Sequence, residues 1–183
     1  MGGGYVATTV SAIAVEAGVA VQSLYLGFGS KLGILSAAFD VAIVGDTNPL
    51  PLLERGWFTQ LASAPTGLAA IEIFVDELAG ILSRTQGLYG VIRAAAASEV
   101  GVLLAENKRQ RYEGVRAVAA QLAAKPHFAQ DVGVDTAADL LYALATEDSW
   151  GLLVGDRAWS ADSWKNWCVK LLTTTLFPPG SAG

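Results

Sequence analysis

The chain has 183 residues, 52% of them apolar and only 16% charged, with a formal net charge of −5. Such an acidic balance argues against broad, charge-driven binding to nucleic acid, and so apolar a composition calls for extra buried surface such as a subunit interface. The absence of a run of 18 apolar residues argues against a membrane span, the N-terminal Met1-Gly2-Gly3-Gly4 lacks a leader's basic and apolar regions, and a lone cysteine, Cys168, allows neither an intrachain disulfide nor a thiolate metal cluster, so a cytoplasmic location is the default expectation.

Helical spacing recurs along the chain and strand alternation is weak, so the expected class is all-α. Residues 8–17 read as a short helix, capped by Thr8 or Thr9, with Ile13, Ala14 and Ala17 on its apolar face and Gly18 ending it. A second short helix is expected over 20–27, with Leu24 inward and Phe28 at its exit. Ser30-Lys31 opens a longer helix to about Val44, carrying Leu32, Leu35, Ala38, Phe39, Ala42 and Ile43 at helical spacing. The stretch from Gly45 to Pro51 is the clearest linker. It divides the chain into a head, 1–45, and a body, 46–183. In the body, helices are expected at 52–63, 67–84, 87–99, 102–124 and 134–145, punctuated by Pro65, Gly87, Gly101 and Pro126. Thr146-Glu147-Asp148 reads as a cap that restarts a helix to Val154, and Ser160 as the cap of a last helix ending at Phe177.

Residues 8–28 have the makings of a helix-turn-helix. Ala14, Ala17 and Gly18 allow close packing at a tight corner. Val19, Leu24 and Phe28 are expected to form the shared core, leaving Val21, Gln22, Ser23 and Tyr25 for the outer face of the second helix. The same residues carry a resemblance. Gly4-Tyr5, Ala7-Thr8-Thr9-Val10, Ile13-Ala14, Ala17-Gly18-Val19, Leu24-Tyr25, Phe28 and Ser30-Lys31 resemble, in order and spacing, the DNA-binding head of the tetracycline-repressor (TetR) family. Arg111 with Gly114, and the run from Leu153 to Ser160, extend it more weakly downstream.

The resemblance implies roles for individual residues. Thr9, Tyr25 and Lys31 match positions that contact DNA phosphates, with Ser23 joining them. Val21 and Gln22 match positions facing bases, where a glutamine amide pairs with adenine and a valine touches a thymine methyl. Three departures stand out. The family has a full, often basic, helix before the Gly-Tyr pair, whereas four residues precede Tyr5 here; this leads to the expectation of a shortened chain or a late start codon. Gly27 takes a place that often carries histidine or arginine, and Ala20 replaces a serine or threonine cap. Residues 1–45 hold one cation, Lys31, against Glu16 and Asp40. Even so, a DNA reader of this kind is expected to show a steep inverse dependence of affinity on salt.

For the body, the resemblance implies ligand binding and dimerisation. Phe74, Leu78, Tyr89, Ile92, Tyr112, Tyr142 and Trp150 are candidates to surround an apolar pocket, with Arg93 as its polar group, or else paired with Glu99 or Asp76. Trp150, Leu153, Trp164, Trp167, Leu171 and Leu172 are candidates for a four-helix interface across a two-fold axis. Nothing favours an enzyme. His127 reads as a loop residue, Cys168 as core, and Glu147-Asp148 as charges at a helix start; there is no metal-ligand spacing and no phosphate-binding loop, and no cofactor is expected. The expected function is a ligand-responsive repressor that binds operator DNA as a homodimer and is released by a small-molecule effector. The alternative is a helical small-molecule or partner-binding protein whose head no longer binds DNA.

Overall fold

A computed structural model describes residues 4–48, 50–144 and 146–179. Among these the regular structure is helical, with no strand. The helices run α1 Gly4–Ala7, α2 Val10–Ala17, α3 Val21–Phe28, α4 Lys31–Val44, a 3₁₀ turn Leu52–Glu54, α5 Gly56–Ser63, α6 Gly67–Ala94, α7 Val100–Ala123, α8 Val134–Leu144, α9 Glu147–Trp150, a π-helical segment Gly151–Asp156, and α10 Ala161–Leu176. No single helix among the described residues is long and apolar enough to cross a membrane. Pro49, within the expected linker, and Ala145, the expected end of the 134–145 helix, fall outside the described residues.

Local chemistry explains most of the ends. The Thr9 hydroxyl accepts from the Ala12 N–H at 3.1 Å, the Ser30 hydroxyl from Gly33 N–H at 3.0 Å, and the Ser160 hydroxyl from Ser163 N–H at 3.1 Å. Thr146 and Ser149 satisfy each other in a capping box. Ala20, which has no such hydroxyl, starts α3 without a side-chain cap.

Two expectations are corrected. A break was expected at Gly87, but α6 runs unbroken through Gly87 and Gly90. Glycine costs a helix only about 1 kcal/mol relative to alanine, and no proline removes a hydrogen bond there. The helix expected over 147–154 is α for one turn only and then widens into the π segment, where Arg157 N–H reaches back five residues to Leu152 O at 3.1 Å.

The chain divides into two compact units. One holds the described residues to Thr47 together with Arg84–Lys108; the other holds Asn48–Ser83 and Arg109 onward. Helices α6 and α7 supply residues to both. The first unit has two apolar clusters. A small one joins Val10, Ala14 and Leu24 with Ile13 and Ile34. A second gathers Tyr5, Leu35, Phe39, Tyr89, Ile92, Ala95 and Val100. The other unit has a larger core built on Leu61, Ile71, Phe74, Leu82, Val118, Leu122, Leu141, Trp150, Trp164, Cys168, Leu172 and Leu176. Burial pushes the Cys168 thiol up to about 12, which leaves it protonated and unreactive.

Candidate nucleic-acid interface

The corner between α2 and α3 is made by Gly18. Its φ of +66° is the left-handed conformation that a residue with a Cβ rarely adopts. From there Gly18 N–H bonds back to Val15 O at 3.2 Å and Val19 N–H to Ala14 O at 3.0 Å, which closes the end of α2 and throws the chain sideways. The bend between α2 and α3 is 106°, within the range of helix-turn-helix corners. The next turn combines a positive φ of +72° at Gly29 with a close contact at Gly33. A Cβ on Gly33 would come within 2.0 Å of the Phe28 carbonyl oxygen, so only glycine lets α4 start against the end of α3.

Leu24 faces inward and is 8% exposed. At 100° per residue, positions two before and two after it lie about 200° away, on the opposite face. Those positions are Gln22 and Leu26, which form one outward ridge a turn apart, both exposed. Ser23 and Tyr25 flank the ridge and are also exposed; Val21, at the first turn, is 36% exposed. The outer face expected from sequence therefore stands, with one addition. Leu26 is 82% exposed and was missed, because leucine on an amphipathic reading is assigned to the core. Counting from Leu24 would have found it.

The shared core is smaller than expected. Ala17, Val19 and Phe28 are all exposed, not buried. Val19 lies in the turn itself, and Phe28 ends α3 between Gly27 and Gly29, which offer no side chains to cover it.

The six residues expected to contact DNA fall into two groups. Val21, Gln22, Ser23 and Tyr25 share α3. Thr9 stands at the start of α2; its oxygen accepts from Ala12, so its own proton remains for a phosphate oxygen. Lys31 is placed differently. Its ammonium donates to Tyr5 O and Thr8 O, each at 2.9 Å, and lies 4.2 Å from the centre of the Tyr5 ring. It caps the carbonyl end of α1 and fixes the approach of the chain to Thr9. Of three ammonium protons, two are committed to this task.

The head is gripped by residues from beyond the linker, which sequence spacing did not reveal. The Tyr5 hydroxyl donates to Glu99 Oε1 at 2.6 Å. Burial, then the adjoining Glu99 carboxylate, pushes that phenol up to about 12. Arg84 donates to Ala42 O and Ile43 O, both at 2.9 Å, and so caps the carbonyl end of α4.

The expected pocket residues are not all in one unit. Phe74, Leu78, Tyr112, Tyr142 and Trp150 belong to the larger core and its margin. Tyr112 and Tyr142 meet edge-to-face with ring centres 5.6 Å apart, and Trp150 meets Trp164 at 5.1 Å. Tyr89 and Ile92 are buried in the first unit, where Arg93 lies exposed with its guanidinium 5.9 Å from the Tyr89 ring centre. Of the carboxylates expected beside Arg93, Glu99 accepts from Tyr5 at 2.6 Å and Asp76 pairs with Lys165 at 3.1 Å. The polar group that does stand among the aromatics is Arg111, 4.3 Å from the Tyr142 ring centre and paired with the buried Glu147. Its Nε is buried without a hydrogen-bond partner among the described residues. Of the expected interface residues, Trp150, Trp164 and Leu172 are buried in the chain's own core, while Leu153, Trp167 and Leu171 are half-buried. Among the described residues no group of three or more His, Cys, Asp or Glu side chains could hold a metal ion.

Comparison with known families agrees with the geometry. Residues 2–38 match the family described as bacterial regulatory proteins, tetR family. No curated protein and no solved structure matches the chain. The match covers α1 to α3 and the first half of α4, the segment that contains the glycine corner and the outward ridge. Residues 2–38 thus resemble the N-terminal helix-turn-helix domain of the tetR family of bacterial regulatory proteins.

Proposed function

We propose that this chain is a ligand-responsive repressor that binds operator DNA as a homodimer and is released by a small-molecule effector. The observation that carries the reading is the α2–α3 corner, which leaves Gln22, Ser23 and Tyr25 on the exposed face of α3. Two such heads on a two-fold axis would enter successive major grooves, ~34–36 Å apart. Thr9, Ser23 and Tyr25 would set register through phosphates, and Gln22 and Val21 would set sequence through bases.

A homodimer is supported by apolar surface on the C-terminal segment. Leu152 is 59% exposed and Trp159 is 36% exposed, beside the half-buried Leu153, Trp167 and Leu171. Trp159 and Trp167 meet edge-to-face with centres 6.4 Å apart, a rigid aromatic pair suited to a partner's core. An effector site is supported by Phe74, Leu78, Tyr112, Tyr142 and Trp150 in one core, with the Arg111–Glu147 pair against Tyr142 offering one orphan donor. A ligand that favours one arrangement of these helices would change the separation of the heads and so the fit to DNA.

The test is a binding-site selection with the whole chain, repeated with and without candidate effectors, alongside light scattering. A single enriched, two-fold symmetric site bound by a dimer, and lost on adding an effector, is the expected result. A monomer at micromolar concentration, or no enriched site, would contradict it.

A further inference from the structure

We propose that Leu26 is a specificity-determining residue of this head, and that it reads the 5-methyl group of a thymine in the major groove. The inference rests on α3 being the element that enters the groove, and it goes beyond the positions named for base contact so far.

A lone exposed leucine is ordinary on a protein surface. What distinguishes Leu26 is its address. It is 82% exposed and shares the outward ridge of α3 with Gln22, on the face opposite the buried Leu24. The ridge carries no charge. The sequence of α3 is VQSLYLGF, without Arg, Lys, Asp or Glu. The pairings that read guanine through a cation, or cytosine through a carboxylate, are therefore closed to it. An amide and an aliphatic side chain remain. Gln22 matches the paired donor and acceptor on adenine, and Leu26 matches the one apolar group displayed on the groove floor, the thymine methyl. Residues four apart on a helix are separated by about 6 Å along its axis. Base pairs stack at about 3.4 Å, so the two side chains address neighbouring or next-neighbouring pairs. Gly27 adds nothing that would hold Leu26 off the bases.

The experiment uses the whole chain and the site it selects. Each thymine of one half-site is replaced in turn by deoxyuridine, which keeps the base pair and removes only the methyl, and affinity is read by fluorescence anisotropy. At one thymine the wild type should bind about fourfold more weakly, the worth of one buried methyl-sized group. Leu26→Ala should bind the unmodified site with a similar loss and should no longer respond to that deoxyuridine. Val21→Ala should keep the response. Leu26 is exposed enough that its truncation should leave the melting temperature unchanged, which separates a lost contact from a damaged fold.

Specific binding by the wild type with no thymine sensitive to deoxyuridine would overturn the proposal. So would a deoxyuridine penalty that persists in full in Leu26→Ala, or that disappears in Val21→Ala instead. Failure of the wild type to select any site would overturn the reading of α3 itself, a different result from specific binding that ignores the methyl.

Discussion

The α2–α3 corner and the core of the larger unit solve different problems with the same apolar alphabet. The larger unit buries big side chains at its centre: Trp164, Leu61, Ile71, Leu122, Leu141 and Leu176 are all fully covered, while Leu152 and Trp159 stay exposed. The α2–α3 corner buries only Val10, Ala14 and Leu24, and leaves Val15, Val19, Leu26 and Phe28 in solvent. One region uses apolar residues to hold itself together; the other keeps several of them facing outward. Stability and recognition are thus separated along the chain, and they should be separable by experiment.

All five tryptophans, at 57, 150, 159, 164 and 167, lie in the larger unit, so tryptophan fluorescence reports on that unit alone. The largest effect should come from its centre. Trp164→Ala removes a fully buried indole packed on Trp150 and is expected to cost ~3–5 kcal/mol. Urea unfolding followed by tryptophan fluorescence measures it, and a cost below about 1 kcal/mol would break the contrast. Leu24→Ala is next. Here the loss, ~2–3 kcal/mol, falls on a three-residue core. DNA binding should disappear while the tryptophan-detected midpoint scarcely moves.

A smaller effect tests the grip on the head. Tyr5→Phe deletes the hydrogen bond to Glu99, and a bond to a charged acceptor is worth about 1.5–3 kcal/mol. The same contact gives a pH signature. The Tyr5 phenol is raised from 10.0 to about 12 on folding, so the neutral form is the one the fold favours. Its contribution is complete below pH 10 and is lost as pH rises from 10 towards 12. Far-UV circular dichroism should show a loss of helix in that window for the wild type. Tyr5→Phe, lacking the phenol, should show less of it.

The smallest effect concerns salt. Sequence alone suggests a steep dependence of affinity on ionic strength, as for any protein that grips phosphates. The placement of Lys31, the one cation within residues 1–45, changes that expectation, because two of its three protons are held by Tyr5 O and Thr8 O. The proposed dimer, with at most one phosphate-neutralising cation per head, should show a log–log slope of about −2 or shallower. A slope near −6 would mean that cations outside the first 45 residues reach the DNA.

The helical class, the glycine corner, the caps at Thr9, Ser30, Thr146 and Ser160, and the outward face of α3 could all be read from residue spacing. Each depends on neighbours in sequence, where local chemistry decides. What could not be read depends on distant partners or on small energies. The continuity of α6 through Gly87 is a matter of about 1 kcal/mol, too little for a pattern to decide. The pairs Tyr5–Glu99, Arg84–α4 and Arg111–Glu147 join residues 94, 42 and 36 positions apart, and no periodicity records them. Val19 and Phe28 were expected in the core and are exposed for a common reason. Hydrophobicity predicts burial only where something is present to cover the side chain, and this corner offers too little.

The most direct test compares the DNA sites selected by the wild type and by Gln22→Ala. Gln22 should specify adenine at one position of each half-site, so the variant should lose that preference alone, with a drop in affinity equivalent to ~1–3 kcal/mol and an unchanged melt. An identical preference at every position in both proteins would mean that the outward ridge of α3 does not read DNA.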